Sequence, residues 1–218
     1  MFVGHYGVAF AAKRAAPKTS LGTLLAAALF IDLLWPIFLL LGWEKVRIDP
    51  GNTAFTPLDF VSYPLSHSLV TCAGWGLLFG VFYWARTRYR AGAIVAGLLV
   101  LSHWILDAVT HRPDLPLYPG GSTMIGFGLW NSVTATLLIE GAIFVIGVWL
   151  YLSGTQTNDK VGHYSLWVFL LLTIIMYVGN AVGPPPPDAR TLAWFALGIW
   201  LIPLWAGWFD RHRRLTGA

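Results

Sequence analysis

Residues 101–111 read LSHWILDAVTH. Apolar residues fill most of the stretch, yet His103, Asp107 and His111 recur at every fourth position. In a helix, residues four apart sit one turn apart on one face, so these side chains form a single polar stripe on an oily rod. A buried ionisable stripe needs partners, because unpaired charge away from water is costly.

Outward from this stretch, apolar runs cover about residues 20–42, 68–85, 91–108, 125–152, 164–183 and 191–209, with 2–16 as a shorter seventh. Each long run approaches or exceeds the ~20 residues that cross ~30 Å of hydrocarbon. Of the 218 residues, 56% are hydrophobic and 11% charged, and the mean hydropathy of +0.64 excludes an ordinary soluble domain. The expected fold is all-α, a polytopic transmembrane helical bundle of six long hydrophobic helices plus a short N-terminal one. Residues 1–120 are expected to form a core of two helical hairpins, and 121–218 further transmembrane helices of the same membrane domain. GPPPPD at 183–188 reads as a stiff extended turn. The start, MFVGHYGVAF, lacks a basic stretch and a small-residue cleavage site, so it reads as retained. The one cysteine, Cys72, lies inside an apolar run and reads as a small buried hydrophobe, which excludes a disulfide framework.

If successive runs alternate across the bilayer, one face collects Lys13, Arg14, Lys18, Arg86, Arg88, Arg90, Lys160, Arg211, Arg213 and Arg214. The other face holds only Lys45, Arg47, Arg112 and Arg190. The positive-inside rule then assigns the first face, with the C-terminus, to the cytoplasm of a prokaryotic inner membrane. These charges are topology signals, so the isoelectric point near 9.4 calls for no nucleic-acid partner. Trp130, Trp149, Trp167, Trp194, Trp205 and Trp208 fall near run ends, as an interfacial belt requires.

Ionisable residues within spans point to function. If 2–16 and 20–34 form a hairpin turning at Pro17–Thr19, His5 and Asp32 are equidistant from the turn and therefore level. A second hairpin, turning in ARTRYR (85–90), makes His67 level with His103 and Asp107. Both turns are basic, so both polar layers lie toward the external face. Three imidazoles and two carboxylates in one layer suit a divalent metal, with Zn²⁺ first and Mn²⁺ or Fe²⁺ behind it. Ser66, Ser68 and Ser102 flank the histidines as candidates to orient the imidazoles. Adjacent residues on a helix diverge, so Ser66–His67 and Ser102–His103 are not nucleophile–base pairs. Glu140 lies mid-run without a level partner and is expected to pair within the bundle. Asn131 is expected early in the fourth long run, making an interhelical hydrogen bond. His163 and His212 read as satisfied interfacial groups.

The order GHYGVAF (4–10), FIDLLWP (30–36), YPLSHSL (63–69), LSHWILDAVTH (101–111) and PLYPG (116–120) resembles the bacterial inner-membrane metal-dependent hydrolases. That family is similar to the zinc-dependent phospholipase C and single-strand nuclease superfamily of all-helical phosphoesterases. The resemblance implies that Asp32, His67, His103 and Asp107 surround one metal, with Asp107 bridging to a second near His5. This chain departs from the pattern at Leu34 and Trp35, where the family offers an Asp and a His, and near Ser62. His111, where the family more often has proline, is either a further ligand or a general acid.

The expected function is hydrolysis of a phosphoester at the external interface, by one or two divalent ions, on a phospholipid or lipid-linked phosphate within the bilayer. Arg112 is a candidate to hold the phosphate, whose geometry its guanidinium matches. The alternative is a non-catalytic protein or a transporter that uses the same His/Asp layer as a metal or proton site.

Overall fold

The computed structural model describes residues 1–216. Ten helices carry it: α1 (Val3–Ala12), α2 (Leu21–Ala28), α3 (Phe30–Leu40), the single-turn α4 (Pro64–His67), α5 (Leu69–Thr87), α6 (Arg90–Thr110), α7 (Val133–Gly154), α8 (Lys160–Val182), α9 (Ala189–Ala196) and α10 (Leu201–Asp210). Among the described residues, five segments are long and apolar enough to cross a membrane: α5, α6, α7, α8 and the run Ala189–Asp210. The bent pair α2–α3 makes a sixth. Exposed apolar side chains such as Leu77, Phe82, Leu138, Leu171 and Leu204 coat the bundle, as expected of a multi-pass membrane protein whose outer surface faces lipid.

The short α1 lies at the centre of the bundle rather than on its edge. Val3, His5, Tyr6, Ala9 and Phe10 are all buried, and α7, α2, α6 and α8 pack around them. The closest crossing is with α7. A Cβ on Gly7 would stand 2.5 Å from the carbonyl oxygen of Ile143, so only glycine lets the two backbones meet there. The carboxylate of Glu140, on α7, accepts from the backbone N–H of Phe2 at 2.6 Å and of Gly4 at 3.3 Å. Glu140 thus caps α1, which explains a buried acid that had no level partner in the sequence.

The 20–42 run is not one straight helix. It breaks at Leu29, and α2 and α3 meet at 53°. The cause lies at the break itself. The carbonyl of Ala28 accepts from His103 Nδ1 at 2.8 Å, an intrusion of the kind that kinks helices. Further along, inside α3, Pro36 has no N–H to offer the Asp32 carbonyl one turn earlier. The 125–152 run also begins late. Gly128 takes a left-handed φ of +73°, Leu129–Asn131 form a 3₁₀ turn, and α7 starts at Val133 behind the N-cap Ser132. Asn131 is therefore exposed in a turn instead of bonding between helices.

At one end, Lys13 meets Asp210 at 2.8 Å, Tyr151 donates to the same carboxylate at 2.7 Å, and β5 (Thr155–Thr157) pairs antiparallel with β6 (Arg213–Leu215). Lys13, Arg14, Lys160 and Arg213 share this end. There His212 is satisfied by Asp159 at 2.6 Å. The Gly162 N–H and then His212 hold the Asp159 carboxyl below its usual range. The opposite end is a cap of two small antiparallel sheets, β1 (Lys45–Ile48) with β2 (Leu58–Ser62) and β3 (Leu115–Pro116) with β4 (Met124–Ile125). Trp149, Trp167, Trp194 and Trp208 are exposed, but Trp130 is buried under the cap and Trp205 turns inward to donate to Ser165 at 2.7 Å.

Candidate metal centre

Three helices, α1, α3 and α6, and the single turn α4 bring His5, Asp32, His67, His103 and Asp107 together beneath the cap. Asp107 is the hub. Its Oδ2 lies 3.2 Å from His103 Nε2 and 3.7 Å from His67 Nε2. Asp32 Oδ1 lies 3.5 Å from His103 Nε2 and 3.7 Å from His67 Nε2. Four donors in a tetrahedron around an ion at ~2.0–2.1 Å stand ~3.3–3.4 Å apart. The four measured edges bracket that value, with the two at His67 the longest.

The rings are turned so that both Nε2 atoms face the two carboxylates. His103 Nδ1 is spent on the Ala28 carbonyl, which leaves Nε2 as the acceptor. His67 Nδ1 donates to Ser66 Oγ at 2.6 Å, and that hydroxyl donates to Glu44 Oε2 at 2.6 Å. Glu44 Oε1 accepts the backbone N–H groups of Leu65 and Ser66, both at 2.8 Å. This carboxylate–hydroxyl–imidazole relay fixes the His67 tautomer as outer partners of metal-bound histidines do. His103 Nε2 is fully buried and has no hydrogen-bond partner. Two imidazole nitrogens and two carboxylates thus lie close together, a donor set that could hold a metal ion.

His5 stacks on His103, with ring centroids 3.8 Å apart and planes 5° from parallel. Its Nε2 approaches the other Asp107 oxygen, Oδ1, at 3.1 Å, and the Met1 nitrogen also bonds Oδ1. The donors therefore form two overlapping triads, Asp32–His67–His103 and His5–His103–Asp107. His103 Nε2 has one lone pair, so one ion at a time can use it.

No family model, curated protein or solved structure matches this chain. What the centre can do follows from its own geometry.

His111 stands just past α6, outside the four-donor set. Its Nδ1 donates to Asp114 Oδ1 at 2.9 Å, and Tyr63 donates its hydroxyl to the same oxygen at 2.9 Å. The ring is packed by Trp130 and Phe60. Burial holds its pKa below the ordinary imidazole value, against the raising effect of Asp114. Burial, and then the Asp114 carboxylate, push the Tyr63 hydroxyl well above the usual phenol range, so it stays a donor. The lowered pKa favours the neutral ring, with Nδ1–H held by Asp114 and Nε2 as the basic atom.

Arg112 turns away from the centre. Its guanidinium bonds Asn52 and Asp59 in the β1–β2 cap and reaches Asp114 Oδ2 at 3.2 Å. All of these partners belong to the cap, so Arg112 ties down the cap. Among the flanking serines only Ser66 orients an imidazole. Ser68 caps α5, and Ser102 donates to Leu99 O in its own helix at 2.8 Å. Glu44, Tyr63 and Asp114 carried no sequence signal, because each lies in a loop or strand edge brought to the site by cap packing. Cys72 is buried, with its thiol on Ser66 O at 3.2 Å.

Asp32, His67, Asp107 and His111 line one end of a cavity of ≈ 450 Å³. The remaining wall is mostly apolar, and half of it comes from α8 and the Ala189–Asp210 segment. Leu34 and Trp35 add no ligand, although Trp35 lines the cavity and meets His67 edge-on.

Proposed function

We propose that this chain is a membrane-embedded, metal-dependent hydrolase of a phosphoester, carried on a phospholipid or lipid-linked phosphate at the external face of a prokaryotic inner membrane. The observation that carries the reading is the inward-facing donor set, with the buried and otherwise unpartnered His103 Nε2 at 3.2 and 3.5 Å from two carboxylates. Asp32, His67, His103 and Asp107 hold one divalent ion. Zn²⁺ suits the mixed nitrogen and oxygen set best, with Mn²⁺ or Fe²⁺ behind it.

A bound ion at this position would lower the pKa of water and polarise a phosphoryl oxygen. The protein supplies the remaining parts. The Glu44–Ser66 relay holds His67 in register, and Ala28 does the same for His103. His111 Nε2 faces the cavity, where it takes a proton from the attacking water while Asp114 steadies the resulting imidazolium. Tyr63 and Trp130 keep that dyad dry. His5 shares Asp107 from the other side and sets its orientation.

The same donors would serve a transporter only if a polar path led onward to the basic end. The space below the centre is filled instead by Phe10, Leu24, Leu25, Ala96, Leu99 and Val100, all buried and apolar, which favours a one-sided site.

The test is elemental analysis of detergent-purified protein, beside Asp32→Ala and His103→Ala, followed by a phosphoester screen. About one equivalent of zinc or manganese, lost in both variants together with turnover, supports the proposal. Protein that stays metal-free after reconstitution overturns it.

A further inference from the structure

The C-terminal third of the chain carries no chemical motif, yet nine of the 22 residues lining the cavity come from it. The segment Ala189–Asp210 is interrupted halfway by a 3₁₀ stretch, Leu197–Trp200. The break is pinned by Trp200 Nε1, which donates to Leu33 O at 3.2 Å, beside Asp32. Above the break, α9 packs on α3; below it, α10 packs on α8 and α2. The C-terminal half of α8 packs elsewhere, with Tyr177 stacked on Phe2 and tilted against Phe55. The two helices therefore part at that end, and the cavity occupies the gap.

Two features define what fits there. First, the gap opens sideways. Met176, Phe195 and Leu201 line the cavity and are also 49, 80 and 66% exposed on the apolar outer surface. Second, the cavity runs along the bundle. Its lower lining residue Trp205 is anchored to Ser165, and Ser165 lies eleven residues before Met176 on α8, or ~16 Å at 1.5 Å per residue. One leaflet contributes ~15 Å to a ~30 Å hydrocarbon core. A lipid chain spanning one leaflet is of comparable length, and Asp32, His67 and Asp107 line the same cavity.

We propose that the gap between α8 and the α9–α10 break is a lateral entrance and tail-binding channel. Through it a long-chain alkyl phosphate or phospholipid slides in from the external leaflet without leaving the bilayer. The headgroup end of this proposal rests on the phosphoester reading of the metal centre; the tail end rests on separate residues.

The test uses a long-chain alkyl phosphate with a photoreactive diazirine near the end of its tail, added to the full-length protein in nanodiscs, with labelled residues mapped by mass spectrometry. Label is expected on Met176, Ile199, Ile202 and Trp205, displaced by unlabelled alkyl phosphate but not by inorganic phosphate. Ile199→Trp fills the channel away from the metal donors and should reduce that label at least tenfold while metal content is unchanged. Ile199→Ala should keep it. Label spread over the outer faces of α5 and α8, indifferent to competitor, overturns the channel, and the wild-type map decides this even if a variant fails to fold. A focused map on metal-free, inactive protein would remove the hydrolase reading and leave the channel standing. Bound metal and turnover with a diffuse map would do the reverse.

Discussion

Ser66→Ala isolates the relay behind His67. In the folded protein Ser66 is fully buried and its hydroxyl bridges His67 Nδ1 and Glu44 Oε2, each at 2.6 Å. Alanine removes both bonds at once. His67 loses the acceptor that fixes its tautomer, for which loss of an outer partner typically lowers metal affinity about 10–100-fold, or ~1.4–2.7 kcal/mol. Glu44 keeps two backbone donors on Oε1 but loses the hydroxyl on Oε2, at ~1–3 kcal/mol of folding stability. The assay is zinc competition against a chromophoric chelator, with thermal unfolding of the metal-free protein recorded beside it. Ser102→Ala is the control, because Ser102 also precedes a ligand histidine but donates to Leu99 O in its own helix; its zinc affinity should match wild type. Equal affinity in Ser66→Ala, or an equal loss in Ser102→Ala, would refute the relay.

Three other perturbations test separate parts of the molecule. Gly7→Leu should destabilise the bundle by at least ~1–3 kcal/mol, since the first added carbon already meets the Ile143 carbonyl at 2.5 Å; thermal unfolding in detergent measures it, and metal should be lost with the displaced α1. Arg112→Ala releases Asn52, Asp59 and Asp114 together, so limited proteolysis should cut the 49–57 loop faster while KM for a phosphoester holds. The folded His111 imidazole titrates below its ordinary ~6.5. In metal-free protein its contribution to stability is therefore complete above ~6.5, falls as pH drops below that value, and levels off beneath the folded pKa. His111→Gln should flatten that part of the Tm-against-pH curve, and an unchanged curve would show that His111 titrates as it does in the unfolded chain.

Helix spacing and turn placement are local properties, and they were legible. The i, i+4 stripe of His103 and Asp107 and the equal distances of His5, Asp32 and His67 from their turns select five residues that the structure places in one layer. The break at Leu29 was not legible, because its cause is an imidazole more than seventy residues away in sequence. Arg112 read as a phosphate ligand because its neighbours in space, Asn52 and Asp59, reach it through the cap. Glu140 read as isolated because its partners are backbone N–H groups, which every residue carries and no sequence pattern marks.

By itself, then, the sequence determined a membrane bundle of six long apolar segments and the identity of the clustered histidines and aspartates. Hydrocarbon thickness and helical pitch constrain both within a single segment. Tertiary structure alone decided that α1 is the centre of the bundle, that Glu44 and Asp114 steady the imidazoles, and that the motif-free C-terminal helices wall the cavity. Those outcomes depend on which helices cross and where they part, and close packing sets that between segments far apart in the chain.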